Sequence, residues 1–439
     1  MKKKTFNIIF FTILCVITTI SCQRDNPKKR TTKKEEPLKK INIKAEEKVD
    51  INEINFYFEN SLSMNGYLNG ESFQQTVRRI LLNAEEDSLS TYFVNTKEYS
   101  QTNLKDKIAN KKIATTGIGN SDHKFIFTNA IKNAKGNNLS IVITDGIYSM
   151  KGGNIALVEI DIEDAFKKAL MYNELETVVL KMTSNFKGTY YSETCKPGHK
   201  AIKINQTRPY YLFLFGNKDV INKTFENIVI KDDLKGLEEE SRFIITKDLN
   251  VNYTVLTQGE EKKGNFKQSG RKSVVKEIGD AEKSSKKGVL LKDRYLQFGI
   301  GVDYSKSSIP ESYLLNTSNY SIEDNTGYKI EEIKKVSDLD KGSKSYKWVN
   351  AQNEKGKFTY THIVVVKAKT KLYGDLSLSL DINSPEWITK TGTVYDCSIK
   401  NDTSTTFAFD RLMAGVSKAY QKVSDKKEFF KINIKVKAN

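Results

Sequence analysis

Phe56-Tyr57-Phe58-Glu59-Asn60-Ser61-Leu62-Ser63-Met64-Asn65-Gly66-Tyr67 opens as a run of strand formers and then breaks into a carboxylate, hydroxyls and Gly. Ser140-Ile141-Val142-Ile143-Thr144-Asp145-Gly146-Ile147-Tyr148-Ser149 does the same further along the chain. The carboxyl end of a buried parallel strand reads this way when it carries a polar site. One stretch ends in Glu59-x-Ser61-x-Ser63 and the other in Asp145-Gly146. Hard oxygens at these spacings suit one small divalent cation.

Around these stretches, strands and helices alternate. Strands are expected at 54–58, 92–94, 139–144, 177–182 and 211–215. Helical stripes run through Phe73, Val77, Ile80 and Leu81, through Ile162, Ala165, Phe166, Ala169 and Leu170, and through Val220, Ile221, Phe225 and Ile228. A weak helix is read at 104–109. A further helix starts at Ser121 or Asp122, either of which can cap it, and reaches about Ala134. This alternation predicts an α/β domain at 51–230 with a doubly wound, mostly parallel sheet. Beyond it, Leu296, Phe298, Ile300, Val302 and Tyr304 alternate strictly, as do Leu376, Leu378 and Leu380, and Phe430, Ile432, Ile434 and Val436. Period two predicts antiparallel sheet, so 231–439 reads as a β-rich, sandwich-like accessory domain. One amphipathic helix interrupts it, through Phe409, Leu412, Met413, Val416 and Tyr420. Residues 259–288, rich in Lys, Glu, Ser and Gly, read as a loop.

If the strands ending at Glu59 and Thr144 are neighbours, their loops face each other across the crevice of the sheet. Ser61 and Ser63 then offer hydroxyls to one ion. Ser121 lies 24 residues before Asp145 and opens the preceding helix. Glu59, Ser61, Ser63, Ser121 and Asp145 are therefore the candidate ligands, with Mg²⁺ or another divalent cation as the candidate cofactor. Thr116 and Thr128 are weaker alternatives to Ser121.

The paired motifs resemble those of the von Willebrand factor A domain over roughly 51–230. That family holds a metal with Asp-x-Ser-x-Ser, a Ser/Thr on a second loop and an Asp, usually in Thr-Asp-Gly, on a third. Here Glu59 stands where the family has its first Asp. The resemblance implies adhesion or assembly, the ion's open position taking a carboxylate from a protein partner. A Glu side chain reaches one methylene further, which leaves a degenerate site as the other reading. A metal-dependent hydrolase on the same fold and a passive envelope scaffold are the alternatives.

The start of the chain gives a location. Lys2, Lys3 and Lys4 precede an apolar run at 6–20, too short to be read as a membrane span. Thr19-Ile20-Ser21-Cys22 closes it and resembles a bacterial lipoprotein cleavage site, although Thr19 stands where Leu is usual. Residues 1–21 are then a leader and Cys22 the lipidated first residue. Residues 22–50 are a charged tether, and the protein is exported to the cell envelope and anchored to membrane.

Net charge is +17, but Lys is spread along the chain and Arg is scarce, which is poor ground for specific nucleic-acid reading. Cys195 and Cys397 could bridge the two halves in an oxidising compartment; two residues give no spacing pattern, so their pairing stays open. His123, His199 and His362 are scattered, with no nucleophile elbow or paired metal-binding histidines, so catalysis is not expected. His123 reads as a helix-surface residue, and Tyr190, Tyr191, Tyr210 and Tyr211 as core or strand edge. If Cys22 carries the lipid, Cys22→Ser releases the protein from membranes or blocks its processing. Fractionation and the size of the mature chain check this, and wild-type behaviour of the variant would refute it.

Overall fold

The computed structural model describes residues 50–438 except 85–87, 115–119, 150–153, 172–173, 196–199, 246–248, 271–273, 286 and 324. The leader, Cys22, most of the tether, Thr116 and His199 lie outside the described residues. Residues 49–439 form one compact unit.

Its first layer is a seven-stranded sheet ordered β3-β2-β1-β4-β6-β5-β7. The strands are β1 (Ile54–Glu59), β2 (Leu89–Val94), β3 (Glu98–Gln101), β4 (Leu139–Thr144), β5 (Glu176–Ser192), β6 (Lys200–Gly216) and β7 (Leu237–Phe243). β2, β1 and β4 run parallel. Each further pairing is antiparallel, so the sheet is mixed rather than mostly parallel. The reason is local: a parallel partner needs a crossover of a dozen or more residues, and β5 turns back into β6 with far fewer.

Helices cover both faces. They are α1 (Glu71–Asn83), α2 (Leu104–Ala109), α3 (His123–Asn133), α4 (Ala156–Leu170) and α5 (Lys218–Asn227). Alternation along β6 shows how. Tyr210 meets Phe73 of α1, whereas Phe213 meets Phe127 of α3 on the opposite face. Both β1 and β4 are buried along their whole length, as continuous apolar runs covered on two sides should be.

The second layer is a β-sandwich, as the period-two pattern predicts. One sheet joins β9 (Asn265–Gln268), β10 (Glu277–Glu282), β12 (Tyr320–Ile322), β15 (Gly374–Asp381) and β18 (Glu428–Val436). The other joins β8 (Tyr253–Val255), β11 (Leu296–Val302), β13 (Tyr328–Lys335) and β14 (His362–Ala368). They share one core, including Phe298, Val364, Leu378 and Ile432. The expected loop at 259–288 instead supplies β9 and β10. Their sparse apolar residues, Phe266, Ile278 and Ala281, are all buried, too few to announce a strand. Short helices α6 (Glu311–Leu315) and α7 (Lys344–Asn353) decorate this half.

The chain then returns to the first layer. After β15 come α8 (Glu386–Thr391), the short parallel pair β16 (Gly392–Thr393) and β17 (Thr406–Phe407), and α9 (Phe409–Ser424). Trp387, Phe407, Phe409, Leu412, Val416 and Tyr420 belong to the core of the seven-stranded sheet. Residues expected in the accessory domain thus complete the first core, to which β7 also belongs, before β18 re-enters the sandwich.

α9 crosses α4 at Gly415, where a Cβ would lie 2.5 Å from the Glu159 carbonyl oxygen and 2.8 Å from Ile162 Cβ. Lys418 and Lys422 pair with Glu159 and Glu163 across the same crossing. At a free helical position Gly→Ala gains about 1 kcal/mol. Here the crossing predicts the opposite sign: Gly415→Ala should destabilise by about 1–3 kcal/mol, the usual range for overpacking. Urea unfolding of both chains measures it, and a gain in stability would refute the close crossing.

Candidate functional site

The strand order turns at β1. β2 follows β1 on one side and β4 is added on the other, so the ends of β1 and β4 flank the crevice of the switch point. Glu59 is the last residue of β1 and Thr144 the last of β4. Ser61 and Ser63 follow β1 at the entry to a 3₁₀ turn, Ser63–Asn69. Asp145 follows β4, and Gly146 turns the chain at φ +69°. A side chain there would be strained, and its Cβ would lie 2.7 Å from the Tyr211 ring.

The five predicted ligands meet in one hydrogen-bonded network. Ser61 and Ser63 hydroxyls are 3.1 Å apart, and Ser63 donates to Asp145 Oδ2. Ser121 and Thr144 donate to the two oxygens of Glu59. The Ile147 N–H donates to Asp145 Oδ1 at 3.0 Å. Asp122, not Ser121, caps α3 by accepting from the Phe125 N–H at 3.0 Å, which leaves the Ser121 hydroxyl for Glu59. Thr128 is exposed on the far side of α3.

Both carboxylates are 1 % exposed. Burial raises the pKa of Glu59, while hydrogen bonds from Ser121, Thr144, Ser61 and the Asp145 N–H act to lower it. Burial, then the charge of Glu59, pushes Asp145 up to about 7 against the Ser63 and Ile147 hydrogen bonds. Two adjacent buried carboxylates cannot both ionise cheaply. One keeps a proton, or a cation takes its place.

His123 is buried beside them, not at the helix surface as its sequence context suggests. Its Nε2 lies 3.1 Å from Thr144 Oγ1. That hydroxyl already donates to Glu59 and accepts from the Gly146 N–H at 2.8 Å. With Glu59 ionised, its remaining capacity is to accept, which assigns the proton of the neutral ring to Nε2. Nδ1 has no partner. Burial lowers the His123 pKa to about 4.

The network opens into a cavity of about 220 Å³, lined by Glu59, Ser61, Ser63 and Asp145 together with Tyr191 and Glu193. The last two come from the β5–β6 hairpin. Only 177–182 and 211–215 of that hairpin pair with the rest of the sheet. Its outer ten residue pairs run on past the carboxyl end of β4, an arm of roughly 30 Å at about 3.4 Å per residue. The arm's tip is clasped by the returning chain. Asp396, fully buried, accepts from the hydroxyls of Tyr190, Ser192 and Thr194 and from the N–H groups of Glu193 and Thr194, at 2.6–3.0 Å. Burial alone would raise the Asp396 pKa, but these hydrogen bonds hold it below the usual carboxylate range. A disulfide joins Cys195 to Cys397, Cα atoms 4.9 Å apart.

Thr144, His123, Tyr191, Glu193 and Asp396 are the residues that sequence reasoning did not assign to the site. Thr144 had a signal in the Thr-Asp-Gly string. Asp396 had none beyond its place next to Cys397. Among the described residues no cluster of three His, Cys, Asp or Glu side chains is placed to hold a metal, so any ion here would rest on two carboxylates and hydroxyls. No family model, no curated protein and no solved structure matches the chain.

The electrostatics give a pH dependence. Between about pH 4 and pH 7 the folded chain keeps the Asp145 proton that the unfolded chain has released. The stability it brings is full below about pH 4 and is lost as pH rises through about 7. His123 acts oppositely between about pH 6.5 and pH 4, since the unfolded chain takes its proton first. Comparison with Asp145→Asn cancels most of the His123 contribution. In chelator, the stability of wild type minus that of Asp145→Asn should fall as pH rises from about 5 to about 8. A flat or rising difference in urea unfolding would refute the coupled pair.

Proposed function

We propose that the chain is an envelope-anchored lipoprotein whose α/β domain resembles the von Willebrand factor A domain. It binds a divalent cation such as Mg²⁺ at Glu59, Ser61, Ser63, Ser121 and Asp145, and presents it to a protein partner. The observation that carries this reading is the convergence of the two loops. Residues from the ends of β1 and β4 and from the start of α3 share one network around two buried carboxylates, beside an open cavity.

The donor set fits a hard cation. It is all oxygen, as Mg²⁺ requires, and a small ion of this kind completes its shell with waters or a partner's group. A dipositive ion would replace the proton that the pair otherwise holds and would ionise both carboxylates. The order β3-β2-β1-β4, with the site at the carboxyl ends, supports the domain resemblance; beyond β4 the sheet follows its own antiparallel course. The Cys195–Cys397 disulfide suits the oxidising compartment that export would reach. No helix among the described residues is long and apolar enough to cross a membrane, so on this reading attachment rests on Cys22.

Thermal unfolding with and without millimolar Mg²⁺ or Mn²⁺ tests the site. An ion bound by the native state raises the midpoint by linkage. The wild type should gain several degrees and Asp145→Ala none. If neither chain responds and Asp145→Ala melts at or above wild type, the metal is excluded and the scaffold reading takes its place.

A further inference from the structure

Away from the carboxylate site, a second and larger cavity of about 730 Å³ runs along the outer face of α1. Glu71, Gln74, Gln75, Arg78, Arg79 and Leu82 line it, and their spacing of three and four residues puts them on one helical face. Lys105 of α2 and Lys235, just before β7, contribute to its walls. From Glu71 to Leu82 the helix rises about 16 Å at 1.5 Å per residue. Extended chain spans that length in about five residues.

Four cations converge on this groove: Arg78, Arg79, Lys105 and Lys235. Lys124, Lys418, Lys422 and Lys431 each pair with a carboxylate from another element. The side chains of Arg78, Arg79, Lys105 and Lys235 form no ion pair or hydrogen bond among the described residues. Two of them are adjacent arginines, in a chain where Arg is scarce. Two carboxylates, Glu71 and Asp233, also line the groove and leave its charge net positive. Glu71 takes the Gln75 amide, and Asp233 lies beyond ion-pair distance of any of the four. At the far end Leu82 is 60 % exposed. The groove therefore presents four cations without an ion pair among the described residues, two carboxylates and one apolar contact along a concave track. A flat membrane surface would reach its rim, whereas a single extended strand can lie along its length.

We propose that this groove binds an extended acidic segment of a partner protein, its carboxylates against Arg78, Arg79, Lys105 and Lys235 and an apolar side chain against Leu82. This surface is independent of the ion-binding reading above. Binding there is electrostatic and falls as salt screens it.

The test uses the mature chain and a fluorescein-labelled hexapeptide of alternating Glu and Asp that ends in Leu, read by fluorescence polarisation. Arg78→Glu with Arg79→Glu should weaken binding by about tenfold or more. Lys287→Glu with Lys292→Glu, an equal change of charge at exposed lysines outside the groove, should weaken it less than about twofold. Raising NaCl from about 50 to about 300 mM should weaken the wild type and flatten the difference. Melting curves check the fold of each variant, and Arg78→Gln with Arg79→Gln serves if the reversal unfolds. Equal losses in the two charge-reversed variants, or none in the groove variant, would overturn the proposal. So would a groove variant that loses binding to phosphatidylglycerol vesicles while keeping the peptide, an outcome that assigns the groove to the membrane.

Discussion

Glu59 and Asp145 lie side by side at the ends of two adjacent parallel strands, both cut off from water. Removing an ionised carboxylate from water costs several kcal/mol even after relaxation, so no fold places two together without compensation. Here it comes from short polar residues whose hydroxyls point at them: Ser61, Ser63, Ser121 and Thr144. Hydroxyls donate without carrying charge, so they offset desolvation but leave the mutual repulsion standing. Burial first, and then that repulsion, raises the Asp145 pKa to about 7; on the proposed reading a small cation would take the proton's place.

The cavity beside the pair depends on distant parts of the chain. Its far wall is the tip of the β5–β6 arm, and a hairpin reaching so far beyond its sheet has little to hold it. Part of the hold comes from aromatic packing beneath, where Tyr67 lies against Phe186 and Tyr210. The rest comes from residues 386–424. Asp396 and Cys397 grip the tip, Thr406 hydrogen-bonds Tyr211, and Phe409 stacks on Tyr211 at 3.9 Å, under the Gly146 turn. The segment that leaves the sandwich and returns to it therefore braces the site from two sides. Arg208 lies in the same region, 1 % exposed, over the Tyr190 ring at 4.7 Å, with carbonyls of Thr403 and Thr405 at 3.5 and 3.4 Å. No carboxylate among the described residues pairs with it, so aromatic faces and carbonyl dipoles carry its charge.

What could be read in advance was what is local. β4 and α2 fall on their expected bounds, because a continuous apolar run and a short helical stripe declare themselves within a few residues. The five candidate ligands meet because each sits at the end of such an element, and adjacency of β1 and β4 does the rest. The arm could not be read. Its inward positions include Ser184, Gly188 and Ser192, too polar to mark a strand, and its order comes from contacts with 63–69 and 396–397. The docking of α9 was equally hidden. Its apolar stripe was plain, but a stripe does not say which sheet it covers, and the one glycine that permits the close crossing, Gly415, looks like any other. His123 misled for a related reason. A lone His near a helix start is ordinary on a surface, and only the register of α3 against β4 turns it inward.

Glu59 departs from the pattern it resembles, and the geometry suggests what the extra methylene does. Its carboxylate receives Ser121 from the start of α3 on one oxygen and Thr144 from the end of β4 on the other. Thr144 in turn holds the Gly146 N–H and the His123 ring. One side chain from β1 thus ties the two elements that bring Ser121 and Asp145 to the site. An Asp at this position, about 1.5 Å shorter in reach, would have to give up one of the two contacts or draw α3 and β4 inward. Lengthening the carboxylate therefore gives the crevice an internal strut, while Glu59 still lines the cavity beside Ser61, Ser63 and Asp145. In this chain the first carboxylate of the motif acts as much on the frame of the site as on whatever the site holds.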